Sequence, residues 1–266
     1  MDPKRFEYPH YIAIVLYTLL RREILRFMRI WIQTLLPPAV TTMLYCVIFG
    51  ELVGRQLEVR GYSYGYSYME YIIPGLILMS VITNSYSNVV TSFYSTRFHK
   101  NIEEMLISPM PAYILMLGFV AGGVARGLVV GLVVWAVSSV FANLAFPNLG
   151  LAIVVLLLTS AVFSVAGMIN GIYAKSFDGI SIIPTFILMP LTYLGGIFYS
   201  VEMLPEFWRS ITLFNPIFYM IDVFRYGSLG VGDVQVRHSL MVLSVCLIVL
   251  TAICLQLLVR GVRIRN

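Results

Sequence analysis

Long apolar runs alternate along the chain with short polar breaks. Runs of roughly 20 apolar residues suffice to cross a ~30 Å hydrocarbon core. Such runs lie at about 31–50, 71–95, 114–141, 150–174, 180–199 and 239–259. Lipid offers the backbone no hydrogen-bond partner, so each run must satisfy its own N–H and C=O groups, and all six are predicted as helices. No segment shows the roughly ten-residue alternation of a barrel strand. The predicted fold class is an all-α polytopic membrane protein with six transmembrane helices in one domain.

Three segments break this scheme. In residues 10–29, Arg22, Arg26 and Arg29 recur on one side, while Ile24, Leu25, Phe27 and Met28 cover the other. This predicts an amphipathic helix lying in the headgroup region. It is not an extra span, because Arg21 with those three would cost roughly 2.5–3.5 kcal/mol each at the membrane centre. Residues 97–111, "RFHKNIEEMLISPMP", predict a short helix over about 99–107. Lys100 can pair with Glu103 and Glu104, and Pro109 stops the helix. Both a docking element for a partner protein and a partnerless interfacial helix fit this pattern. Residues 200–230 are apolar and aromatic but broken by Pro205, Pro216, Gly227 and Gly230. Two short helices, about 204–212 and 216–228, are expected there, dipping back from the outer face. The tyrosine-rich stretch 51–70 suits an outer aromatic belt and a flexible loop equally well.

Composition supports the membrane assignment. The chain is 59% hydrophobic and 12% charged, with a net charge of +5. So much apolar side chain exceeds what a water-soluble fold of this length can bury. The basic residues sit beside the spans, which argues against nucleic acid as a partner. Lys4, Arg5, Arg21, Arg22, Arg26, Arg29, Arg97, Lys100, Lys175, Arg260, Arg263 and Arg265 fall on one side. Arg55, Arg60, Arg209, Arg225 and Arg237 fall on the other. The first set marks the cytoplasmic side, with both termini on it.

Catalytic signals are poor. His10, His99 and His238 are far apart, and Cys46, Cys246 and Cys254 lie inside apolar runs as small hydrophobes. No nucleophile elbow, metal spacing or Gly-x-x-x-x-Gly-Lys-Ser/Thr loop is present in the sequence. No cofactor is expected on this chain, and energy from ATP must come through another one. Gly123, Gly127 and Gly131 recur four apart, as small residues do where membrane helices approach closely, and Ser160, Ser164, Gly167 and Gly171 form a like series. Arg126 stands alone in mid-span; a structural role and a place in a substrate path fit it equally. On the second span Ser80, Asn84, Ser87, Asn88, Thr91 and Ser95 share one face. The fifth carries Pro184, Pro190, Thr192, Tyr193 and Gly195-Gly196. These two spans are expected to line a path between helices, the alternative being plain interhelical hydrogen bonding.

The whole pattern resembles the permease subunit of type-2 ABC exporters. The resemblance is carried by "PLTYLGGIFYSVEMLPEFWRSITLFNPIFYMIDVFRYGSLG" (190–230), "PGLILMSVITNSYSNV" (74–89) and "HKNIEEMLISPMP" (99–111). It implies a homodimer in the bacterial inner membrane, each copy bound to a separate ATPase that holds ATP and Mg. It implies that the first cytoplasmic loop is the coupling helix, through Arg97, Lys100, Ile102, Glu103, Glu104, Leu106 and Pro109. The N-terminal helix becomes a connecting helix, and residues 201–229 become re-entrant outer helices, with Asn215, Pro216, Tyr219 and Arg225 as an outer gate. Ser80, Asn84, Ser87, Asn88, Thr91, Tyr193 and Phe198 would line the path. The cargo would be lipidic, drug-like or a glycan. The rival reading is a secondary transporter or channel. It is disfavoured because no acidic residue occurs at 71–102 or 105–177, where ion coupling would want one.

Overall fold

The structure is a computed structural model that describes residues 9–50, 66–99 and 110–261. Among these residues it is helical, with no strand. The helices are α1 (Pro9–Arg29), α2 (Trp31–Ile48), α3 (Tyr68–Phe98), α4 (Ala112–Ser138), α5 (Leu149–Tyr173), α6 (Phe177–Ile183), α7 (Met189–Tyr193), α8 (Glu206–Phe214), α9 (Pro216–Leu229) and α10 (Val236–Val259). A π-helical turn, Pro184–Leu188, joins α6 to α7.

Five of these, α2, α3, α4, α5 and α10, are long and apolar enough to cross a membrane. Their bounds fall close to the expected ones. The fifth expected span, 180–199, differs. Its helical run starts at Phe177 and ends at Tyr193. At 1.5 Å per residue that gives only about 25 Å. The cause is local: Gly196 takes a positive φ of 76° and turns the chain out of the helix. The two predicted outer helices are present as α8 and α9. The tyrosine-rich segment 51–65 and most of the charged run, including Lys100, Ile102, Glu103, Glu104, Leu106 and Pro109, lie outside the described residues.

α3 is the centre of the molecule and is buried along most of its length, whereas α2 and α10 are largely exposed. The two small-residue series meet each other around it. A Cβ on Gly123 would strike Ser164 and Val89, and one on Gly127 would strike Ser85 and Ser160. Gly131 faces Val81, and Gly167 lies against the Tyr86 carbonyl, where a Cβ would come within 2.5 Å. These pairings make α4 antiparallel to α3 and α5, and they bring three backbones together without bulky side chains between them. Phe93 and Phe119 pack edge to face beside this seam.

α1 does form where an amphipathic helix was expected, but its faces divide differently. Leu19 abuts Gly118 and Glu23 abuts Gly122, so α1 runs parallel to α4 along its first half. Phe27 is buried on this same side, while Leu25 and Met28 are exposed. The apolar residues therefore serve two surfaces, one against protein and one facing outward.

Candidate functional site: a polar groove on the central helix

One strip of α3 remains open. Ser80, Thr83, Ser87, Thr91 and Ser95 are half-buried or exposed, while nearly every other position between Ile72 and Thr96 is buried. Their steps of three and four residues put them on one face. The hydroxyls of Thr83 and Thr91 donate to the carbonyls of Met79 and Ser87 one turn back. Such bonds satisfy the donor within the helix and leave the oxygen's other lone pair facing the groove.

One wall of the groove comes from the broken run of α6, the π turn and α7. Pro184, Thr185, Leu188, Met189 and Thr192 face Met79 and Thr83 across a cleft of about 90 Å³. Prolines at 184 and 190 remove backbone donors, and the π turn widens the helix here. At the far end of this wall Tyr193 and Phe198 meet α2. The Tyr45 and Tyr193 hydroxyls lie 3.2 Å apart. The Phe198 ring stacks on Phe49 at 4.9 Å and tilts against Tyr45 at 5.6 Å.

The other wall is charged. Asn84 and Asn88 were expected among the path residues, but both are buried and turned toward arginines. Arg26 of α1 donates to the Asn88 side-chain oxygen at 2.8 Å and to its carbonyl at 2.9 Å. Arg126 of α4 donates to Asn84 Oδ1 at 3.1 Å. Glu23, only 1% exposed, pairs with Arg26 at 3.1 Å and Arg22 at 3.3 Å and accepts the Ser92 hydroxyl at 2.7 Å. Glu23 is the residue that sequence reasoning missed. Its signal was the Glu23/Arg26 spacing of three together with glycines on α4, but only the fold shows that the pair points inward.

The remaining expected site residues separate by role. Arg97 donates to the Ile172 and Ala174 carbonyls, closing the C-terminal end of α5, and stacks over Tyr94. It thereby ties the end of α3 to the end of α5. Arg225, 2% exposed, donates to the Gly196 carbonyl at 2.6 Å and the Tyr71 carbonyl at 3.4 Å, over the Tyr71 ring. Asn215 caps α9 through Ile217 N–H at 3.0 Å and donates to the Leu191 carbonyl at 2.6 Å. Pro216 opens α9, and Tyr219 donates to the Leu213 carbonyl. These contacts fasten α8 and α9 to α7 and to the start of α3. Asp222 accepts the backbone N–H groups of Asp233 and Val234, stapling the turn after α9. Burial raises its carboxyl above the usual carboxylate range, and the charge of Asp233 adds to this, while the two backbone bonds oppose it.

Residues 14–229 match the ABC-2 type transporter family, and the chain belongs to it. It is 48% identical over 257 residues to the inner membrane transport permease YadH of Escherichia coli (strain K12), covering 97% of this chain and 99% of that one. It is also 25% identical over 230 residues to nodulation protein J of Neorhizobium galegae, covering 85% and 87% of the two chains. Nodulation protein J of Rhizobium meliloti (strain 1021) is 24% identical over 211 residues, 79% of each chain.

Proposed function

We propose that this chain is the membrane subunit of an ATP-driven transporter of the bacterial inner membrane, pairing with a second copy and with separate ATPase subunits. Two copies would face each other across the α3 groove. The short α6–α7 run would complete a sixth crossing, with both termini cytoplasmic. The observation that carries this reading is the polar strip on α3. A helix otherwise buried in its own bundle keeps hydroxyls on its one open face, and in an ABC-2 chain that face suits a shared substrate path. Cargo enters from the membrane or the cytoplasm, meets the charged wall, and leaves past the Tyr45–Tyr193 end. The cargo is amphipathic, within the lipidic, drug-like or glycan range.

Energy enters through residues 97–109. ATP-driven closure of the partners would move this loop, and Arg97 ties it to the end of α5, so displacement would reach the bundle through α3 and α5. A conformational shift of this kind requires contacts that differ between the two states. The test is co-purification with an ATPase encoded beside the gene. The wild-type chain is expected to bring the ATPase with it, and Glu103→Lys with Glu104→Lys is expected to lose it while the permease still inserts. An unchanged complex in the double variant would remove the loop from the coupling route.

A further inference from the structure

Asn84 and Asn88 are one turn apart on α3, and each presents its side-chain oxygen to one guanidinium, that of Arg126 and that of Arg26. The two cations therefore hang from neighbouring turns of the same helix, about 6 Å apart in register. Arg22 and Arg26 share one carboxylate, that of Glu23. Both oxygens of Glu23 are already engaged, Oε1 by Ser92 and Arg22 and Oε2 by Arg26. Arg126 has no ion-pair partner among the described residues. Its Nε and the Nδ2 of Asn88 are buried donors without an acceptor there. A cluster with surplus cations and surplus donors in a low-dielectric setting is costly unless an anion completes it. Guanidinium groups match the oxygens of a phosphate two at a time.

We propose that Arg26 and Arg126 form a subsite for the phosphodiester headgroup of a lipid-borne anion, at the edge of the α3 groove. The proposal rests on the transport reading above and narrows its cargo to an amphipathic anion. A lipid-borne anion, rather than a soluble phosphate, suits the surroundings. Leu25 and Met28 of α1 are exposed beside Arg26, and Ile187 and Met189 are exposed on the opposite wall, so acyl chains have apolar surface to follow.

The test uses the purified full-length chain in phosphatidylcholine nanodiscs. Quenching of tryptophan by brominated phosphatidylglycerol is compared with quenching by brominated phosphatidylcholine. The wild-type chain is expected to prefer phosphatidylglycerol. Arg126→Gln should cut that preference about tenfold, the scale of one charge-assisted bond. Arg126→Lys, which keeps the charge but loses the two-pronged match, should retain only part of it and serves should the first variant fold poorly. Glu23→Gln, which keeps an acceptor for Ser92 but removes the competing charge, should raise the preference. A structural role alone predicts no opposite movement of the Arg126 and Glu23 variants, and equal binding of the two lipids by the wild type would overturn the proposal. Soluble glycerol phosphate should displace phosphatidylglycerol weakly, and displacement at matching concentration would overturn the lipid-borne assignment. ATPase co-purification reads independently. A chain that binds its ATPase without anion preference refutes only this subsite, and anion preference without ATPase binding refutes only the transport reading.

Discussion

Two regions of the molecule enclose an arginine, and they treat it differently. Between α9 and the turn after α7, Arg225 is enclosed, bonded to the carbonyls of Gly196 and Tyr71, and laid over an aromatic ring. Its charge is spread over fixed dipoles, and it joins three stretches of chain. At the groove, Arg126 is half-buried, holds one asparagine oxygen and leaves Nε without an acceptor among the described residues. A satisfied buried cation is a structural rivet, and an under-satisfied one is available for a ligand. Position in the membrane does not separate these roles; the count of acceptors does.

The largest effect should come from the outer rivet. Arg225→Met takes the donor from the Gly196 carbonyl and removes the link from α9 to the turn after α7. Hydrogen bonds to a charged donor contribute about 1.5–3 kcal/mol each, so a loss on the order of 3 kcal/mol is expected. In detergent the melting temperature should fall by roughly 6–12 °C. A variant melting like the wild type would show that the clamp does not hold α9 in place.

A smaller loss should follow at the inner end. Gly122→Ala places a methyl within 2.5 Å of Glu23 Cβ, near the backbone of α1 rather than at a flexible tip. Overpacking of this kind costs about 1–3 kcal/mol. Thermal denaturation of this variant should sit between wild type and Arg225→Met. Full stability would mean that α1 is not seated against α4 by Glu23.

The smallest stability change belongs to Arg126→Gln. Glutamine can still donate to Asn84, and an uncompensated charge is removed, so the change should stay below about 1 kcal/mol. Its effect is expected in anion preference instead. Were its melting temperature to drop as far as that of Arg225→Met, the contrast between the two arginines would collapse.

The sequence showed the crossings, the outer helix pair and the polar strip because each is written as local periodicity. Ser80, Ser87 and Thr91 stay on the open face as their spacing implied. Asn84 and Asn88 share that periodicity yet turn toward arginines, because a stripe on a helix spans an arc wide enough to meet two neighbours. Which neighbour takes which residue depends on α1 lying along α4, a long-range pairing with no local mark. Glu23 was hidden for the same reason: among arginines it reads as a surface charge until Gly122 brings it inside. Arg97 was expected among the coupling-loop residues; its bonds to the carbonyls ending α5 come into reach only through the packing of α3 on α5. The end of the Phe177–Tyr193 run depended on a positive φ at Gly196, and a glycine pair signals such a turn without assigning it to one residue.

The hydroxyl contact between Tyr45 and Tyr193 has a consequence for how tightly α2 holds the wall helix. A neutral hydrogen bond contributes only about 1 kcal/mol net. The rings of Phe49, Tyr45 and Phe198 add contacts of similar size. The attachment is thus a sum of several weak fastenings, each able to give without the others, and it resembles a zip more than a bolt.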